Sequence, residues 1–124
     1  MTIHKTPYIV VLDDYERALR SLADWREIDR LAKVEIHHDP LRGDALQAAL
    51  VDADAVVLVR DRTPFRAELI ERLPKLRYLV FTGARNAALD TAALNARGIP
   101  VSHTGWGPSK ESTGELTWAL ILAA

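Results

Sequence analysis

The stretch YIVVLDD, Tyr8 to Asp14, begins the pattern that decides the fold. It is a continuous apolar run ending in two acids, which is typical of a strand buried in a parallel sheet that is covered on both faces. Short runs of this kind alternate with longer segments of helical periodicity along the chain. Four more runs predict strands: KVEIHHD, Lys33 to Asp39; AVVLVRD, Ala55 to Asp61; LRYLVFTG, Leu76 to Gly83; and IPVSH, Ile99 to His103.

The segments between these strands predict helices. Apolar residues recur at every third position from Glu16 to Leu31, and we interpret them as one apolar stripe on a first crossover helix. They are Leu19, Leu22, Trp25, Ile28 and Leu31. Three further helices are predicted: a short one carrying Leu46, Ala49 and Leu50; one capped by Thr63 with Pro64 at its first position; and Thr91 to Arg97, capped by Asp90 and ended by Gly98.

Five βα units imply right-handed crossovers, and therefore a parallel sheet with helices on both faces. The fold class predicted is α/β: a flavodoxin-like, doubly wound, five-stranded parallel sheet in the order 2-1-3-4-5. The more alternating second strand is expected at an edge of the sheet. A chain of 124 residues is expected to form one domain.

The composition restricts the partners and the compartment. Hydrophobic residues make up 48% of the chain and the formal net charge is −1, so no field would collect nucleic acid or an anionic membrane surface. The absence of cysteine and of an apolar leader favours a cytoplasmic protein. The apolar C-terminal run is too short to span a bilayer.

The stretch TGARNAALD, Thr82 to Asp90, carries the strongest signal for a binding site. A glycine directly after a buried strand, followed by a polar turn and a helix cap, is expected to leave the amides of residues 83–86 unpaired at the carboxyl edge of the sheet. Such amides suit a carboxylate or phosphate, and Arg85 would add charge-assisted hydrogen bonds. Arg60 and Arg62, which follow the third strand, are expected to face the same crevice.

Three other kinds of site can be compared with this one. Asp13, Asp14, Asp61 and Thr82 have the pattern of a response-regulator receiver domain phosphorylated on Asp61, but that family places a lysine after the fifth strand, where this chain has Ser102, His103 and Thr104. The adjacent His37 and His38 would point to opposite sides of a strand, so no metal site is predicted. The loop GWGPSK, Gly105 to Lys110, lacks the later glycines of a nucleotide fingerprint.

The run from Leu73 to Ala123 resembles the amino-terminal portion of the D-isomer-specific 2-hydroxyacid dehydrogenases. The residues that carry the resemblance are Gly83 to Asn86; Leu89 and Asp90; Ala92 and Ala93; Arg97, Gly98 and Ile99; and Gly114, Glu115 and Leu116. The earlier VLVRDRTPF, Val57 to Phe65, is similar to the family's motif at the third strand.

The resemblance implies a substrate-binding domain for 2-hydroxy or 2-oxo acids. The acid's carboxylate would be held by the loop Gly83, Ala84, Arg85 and Asn86, with Arg60, Asp61, Arg62 and Thr63 lining the other side of the pocket. Arg85 stands where the family commonly has a second glycine.

The resemblance also implies parts that this sequence does not contain. The family continues into a Rossmann domain with the NAD loop and the catalytic arginine, glutamate and histidine. Residues 1–111 are therefore expected to be the substrate-binding domain and residues 112–124 the start of a helix leading to an NAD-binding domain. The chain is expected to be a truncated product or fragment that is inactive alone, with Lys110 and Ser112 facing the cofactor cleft.

The last ten residues, ELTWALILAA, Glu115 to Ala124, predict a helix. From Trp118 onward it has no polar side chain, so no side of it is suited to contact with water. Ser112 and Glu115 form a capping box at its start. Its apolar surface is expected to recruit a second copy, making a homo-oligomer, and a strictly monomeric chain at high concentration would contradict this. A non-catalytic interaction module resting on this helix is a third possible function.

Overall fold

The computed structural model describes residues 5–105 and 121–122. Its five strands are β1 Tyr8–Leu12, β2 Lys33–Ile36, β3 Ala55–Leu58, β4 Tyr78–Phe81 and β5 Val101–His103. Its helices are α1 Leu19–Leu22, α2 Arg26–Leu31, α3 Gly43–Leu50, α4 Ala67–Glu71 and α5 Thr91–Ala96. The loop after residue 105 and most of the predicted last helix lie outside the described residues.

The strands form one sheet in the order β2-β1-β3-β4-β5, and every neighbouring pair is parallel. The predicted flavodoxin-like α/β fold is therefore confirmed, with β2 at an edge. Parallel pairing brings the carboxyl ends of all five strands to one side of the domain, which is where ligands bind in doubly wound folds.

The core lies between the sheet and helices α3, α4 and α5. Alternate residues of the strands point into it, because side chains alternate across a strand. The buried cluster includes Val10 and Leu12 of β1, Val56 and Leu58 of β3, Leu79 and Phe81 of β4, and from the helices Leu46, Leu50, Ile70 and Leu94. Within the described residues, no helix is long and apolar enough to cross a bilayer.

The prediction of one apolar helix from Glu16 to Leu31 was wrong. Two short helices replace it, with Ala23 extended between them, and neither contains a buried residue. Leu22 is 75% exposed and Leu31 is 60% exposed. The reason is geometric: a step of three residues falls about 60° short of a full helical turn, so five such positions spread around the helix instead of forming one stripe.

The two predicted caps had different outcomes. Asp90 does cap α5, since its side chain accepts a hydrogen bond from the amide of Ala93 at 3.0 Å. Thr63 does not cap a helix, because α4 begins only at Ala67, and the hydroxyl of Thr63 is used elsewhere. Gly98 has φ +69° just after α5, the left-handed conformation that glycine adopts without strain.

The contrast between α1 and α3 predicts how two leucines affect stability. Leu50→Ala should lower the free energy of unfolding by about 3 kcal/mol, because Leu50 is fully buried and the change leaves a cavity. Leu22→Ala is the matched control and should change stability by less than about 0.5 kcal/mol. Urea unfolding measures both, and equal effects would contradict the structure of the α1 region.

Candidate functional site

Two loops at the carboxyl edge are joined through the main chain of Arg60. Its amide donates a hydrogen bond to Oγ1 of Thr82 at 2.9 Å, and its carbonyl accepts one from Nδ2 of Asn86 at 3.3 Å. Arg60 has φ +63°, a left-handed conformation that is uncommon for a residue with a side chain. Arg60, two residues after the end of β3, is therefore held between Thr82 and Asn86 of the loop that follows β4.

The loop after β4 presents main-chain amides at this edge. Gly83 differs from the expectation, because its amide donates to Oγ1 of Thr104 at 2.9 Å. Among residues 5–105, no acceptor meets the amides of Ala84, Arg85 and Asn86. Gly83 has φ +102°, which requires glycine and turns the chain out of the strand. Three successive donors are thus available to an anion.

The arginines around this loop differ in their surroundings. Arg60 and Arg85 are exposed, and no carboxylate lies within ion-pair distance of either in the described part of the chain. Arg62 instead donates from Nη2 to Oε1 of Glu16 at 2.5 Å and from Nη1 to the carbonyl of Asp13 at 2.8 Å. Its guanidinium also lies 4.6 Å from the ring centroid of Tyr15. Arg62 is therefore held on the β1 side of the edge.

The pair between Arg62 and Glu16 has an electrostatic signature. The side-chain hydrogen bond from Arg62 is the main reason that the pKa of Glu16 falls to about 2. The same hydrogen bond raises the pKa of Arg62. A positive charge paired in this way attracts a second anion less strongly. Of the three arginines predicted to face the crevice, Arg60 and Arg85 are therefore the two available to a ligand.

Behind the loop after β3 lies a buried polar contact between Asp13 and Thr63. Each residue is only 2% exposed, and Oγ1 of Thr63 donates a hydrogen bond to Oδ2 of Asp13. Nη1 of Arg42 reaches the same hydroxyl at 3.2 Å, and Nη2 donates to the carbonyl of Arg62 at 2.8 Å. Sequence reasoning missed Arg42 and Glu16, since nothing local to them indicates partners in a distant loop.

The carboxylate of Asp14 makes its contacts within the loop after β1. Its Oδ1 accepts hydrogen bonds from the amides of Ala18 and Leu19 at 3.1 and 3.4 Å. Its Oδ2 lies 3.3 Å from Nδ1 of His38 but makes no hydrogen bond with it. The same nitrogen is instead within hydrogen-bond distance of the main-chain carbonyl oxygen of Asp14, at 3.1 Å. The described residues contain no group of three potential metal-binding side chains. With Asp13 occupied by Thr63, these contacts do not favour a receiver domain.

The described residues do not fit a dinucleotide. A pyrophosphate site in the first βα turn needs glycines and a free helix start, whereas this chain has two buried carboxylates there, Asp13 and Asp14.

Asp61, which is predicted to line the substrate pocket, is exposed beside Arg60. Lys110 and Ser112, predicted to face the cofactor cleft, lie outside the described residues.

The sheet order and the position of the loops define a doubly wound α/β domain of the flavodoxin-like type. The chain belongs to the D-isomer specific 2-hydroxyacid dehydrogenase family, whose catalytic-domain profile matches residues 9–119. No curated protein sequence matches it significantly.

Solved structures agree with this assignment. A protein from Ralstonia solanacearum assigned as a D-3-phosphoglycerate dehydrogenase is 34% identical, with a TM-score of 0.77, over 94% of this chain and 34% of its own. A phosphoglycerate oxidoreductase from Vibrio cholerae O395 is 30% identical, with a TM-score of 0.78, over 94% and 36%. An NAD+-bound 3-phosphoglycerate dehydrogenase from Entamoeba histolytica is 25% identical, with a TM-score of 0.66, over 81% and 33%. The chain thus spans about a third of the length of each.

The buried contact at Thr63 yields a stability prediction. Thr63→Val keeps the shape of the side chain but leaves the buried Asp13 carboxylate without its hydroxyl donor, so it should cost about 2 kcal/mol or more. Thr63→Ser keeps the hydroxyl and loses one methyl group, so it should cost about 1 kcal/mol. Thermal or urea unfolding compares the two, and a valine variant as stable as the serine variant would argue against the hydrogen bond.

The pair between Glu16 and Arg62 yields a pH prediction. Because the folded-state pKa of Glu16 is about 2 and its ordinary value is 4.5, the pair stabilises the fold above pH 4.5 and is lost as the pH falls towards 2. In Arg62→Gln the Glu16 carboxyl should titrate near its ordinary value. Carbon-detected NMR titration of that carboxyl tests this, and the same midpoint in both proteins would disprove the pairing.

Proposed function

We propose that this chain is the substrate-binding domain of an NAD-dependent oxidoreductase that acts on D-2-hydroxy acids and 2-oxo acids. The observation that carries the proposal is the row of free amides at Ala84, Arg85 and Asn86, next to a main chain held in place at Arg60. Family membership supports the class of reaction.

The substrate's carboxylate fits this loop in charge and in size. Successive main-chain amides in a turn form a concave donor set that suits a carboxylate, and they need no side-chain ordering to do so. The guanidinium groups of Arg85 and Arg60 would add charge and bidentate geometry. Asp61, Arg62 and Thr63 would form the wall of the pocket, with Arg62 and Thr63 acting mainly by holding the loop in place.

The proposed division of the chain rests on the family resemblance. Residues 1–111 would supply recognition of the acid, while residues 112–124 would lead to an NAD-binding domain with the catalytic groups. The Entamoeba histolytica protein, of which the match covers 33%, is bound to NAD+. Hydride transfer to or from C2 is chemistry that NAD supplies when it is bound. The part of this chain would be to bind and orient the acid, and alone it would be inactive.

The end of the chain bears on the proposed partners. Ile121 and Leu122 are helical, and they are 58% and 79% exposed. Large exposed apolar patches mark contact surfaces, and these two residues belong to a run, Trp118 to Ala124, that has no polar side chain. We propose that this surface meets the NAD-binding domain in a longer enzyme and a second copy of this chain when that domain is absent.

Titration of 2-oxobutyrate into the nitrogen-15-labelled chain tests the proposed function. At millimolar ligand the amide signals of Ala84, Arg85 and Asn86 should shift and saturate, because their N–H groups would donate to the carboxylate. Arg85→Gln should weaken binding by about threefold to fivefold, as expected for an exposed charge pair.

Arg77→Gln is the matched control. It removes the same charge at the opposite end of β4, where Nε of Arg77 lies 3.7 Å from Asp54, so the affinity should not change. Unmoved amide signals, or an equal effect of the two substitutions, would contradict the proposed function.

A further inference from the structure

A cavity lies at the end of the sheet where the strands begin, opposite to the carboxyl edge. It has a volume of about 650 Å³ and lies between the N-terminal segment, β2, the end of α3 and the turn before β4. That volume is within the range of about 300–1,000 Å³ found for small-molecule sites. The carboxyl-edge site makes no use of it, because the strands separate the two edges.

Lysines line this cavity from three distant parts of the sequence. Lys5 precedes β1, Lys33 begins β2 and Lys75 lies in the turn before β4. Two carboxylates, Glu35 and Asp52, also line it. At neutral pH the lining therefore carries one positive charge in excess.

Both carboxylates already have partners inside the cavity. Oη of Tyr8 donates to Oε2 of Glu35 at 2.5 Å, and Nζ of Lys75 donates to Oδ1 of Asp52 at 2.7 Å. Burial and the nearby Glu35 raise the pKa of Tyr8 to about 12, so the phenol stays neutral and keeps donating. Lys75 is also the main reason that the pKa of Asp52 is lowered.

The other two lysines have no direct carboxylate partner of this kind, although Lys5 contributes to lowering the pKa of Asp52 after Lys75. Among the described residues, no carboxylate lies within ion-pair distance of Lys5 or Lys33. Nζ of Lys33 is 5.1 Å from the ring centroid of Tyr8, a cation–π contact that fixes the ammonium beside the cavity without neutralising it. Thr6 adds a hydroxyl to the lining, while Ala48 and Ala49 keep that side of the cavity free of large side chains.

We propose that this amino-edge cavity binds a small anion, a carboxylate or a phosphate compound, between Lys5 and Lys33. Two ammonium groups without an ion-pair partner and a hydroxyl supply the donors, while the two carboxylates of the lining are already paired with Tyr8 and Lys75. This site is separate from the proposed substrate site and does not depend on it.

Two titrations of the nitrogen-15-labelled full chain test the proposal, one with inorganic phosphate and one with succinate, each at constant ionic strength set by NaCl. At least one anion should give saturable shifts in the amide signals of Thr6, Lys33 and Ala49. The anion that binds more tightly identifies the preferred anionic group. The amides of Ala84 to Asn86 should not follow the same curve.

Lys5→Gln combined with Lys33→Gln should weaken the binding at least fivefold. Arg30→Gln is the control, since it removes an exposed cation on α2 and should leave the affinity unchanged. The exposed positions of both lysines make loss of folding unexpected, and the spectra report it directly. The proposal is overturned if neither anion saturates, if the double variant binds as tightly as the parent, or if only the signals of residues 84–86 move.

Discussion

The hydrogen bond from Thr63 to Asp13 is the contact on which the carboxyl edge depends. Both side chains are buried, so the carboxylate cannot be satisfied by water and requires the donors that the protein supplies. The bond ties the loop after β1 to the loop after β3 and draws Arg42 to the same place. As a result, the loop after β3 contacts the β4 loop at its start, through Arg60, and is anchored to the β1 loop at its end, through Thr63.

This division of the loop explains why neighbouring arginines have different environments. Arg60 and Arg62 are two residues apart, yet one is bonded to the β4 loop through its main chain and the other to Glu16 through its side chain. The left-handed conformation of Arg60 allows this change of direction within three residues. Such strain is tolerated where surrounding contacts over-determine the backbone. Here the two hydrogen bonds to the main chain of Arg60 and the one from Arg42 to the carbonyl of Arg62 do so.

Much of the fold could be predicted from the sequence, because the signals for it are local and repeated. Five apolar runs gave the strands, and the handedness of crossovers gave the order. The single helix predicted from Glu16 to Leu31 does not form, because apolar positions three residues apart drift around a helix and make no single stripe. Thr63 was mispredicted as a cap because its real partner, Asp13, is 50 residues away. Sequence patterns are equally limited for the site. The glycine turn at Gly83 could be predicted because its signal is local. The hydrogen bond from Gly83 to Thr104 and the pairing of Arg62 with Glu16 could not, because they join loops that are brought together only by the fold.

The exposure of the two arginines at the carboxyl edge also bears on how strongly this domain would bind an anion. Arg60 and Arg85 are exposed, and an ion pair in water is worth little because the solvent screens it. The net charge of −1 adds no long-range attraction, so recognition must come from the few donors at the loop. These donors would become much stronger in a cleft that excludes water, since the same charges interact more strongly at low dielectric. A second domain closing over residues 83–86 would supply that exclusion, and this is the physical reason that binding by this domain alone is expected to be weak.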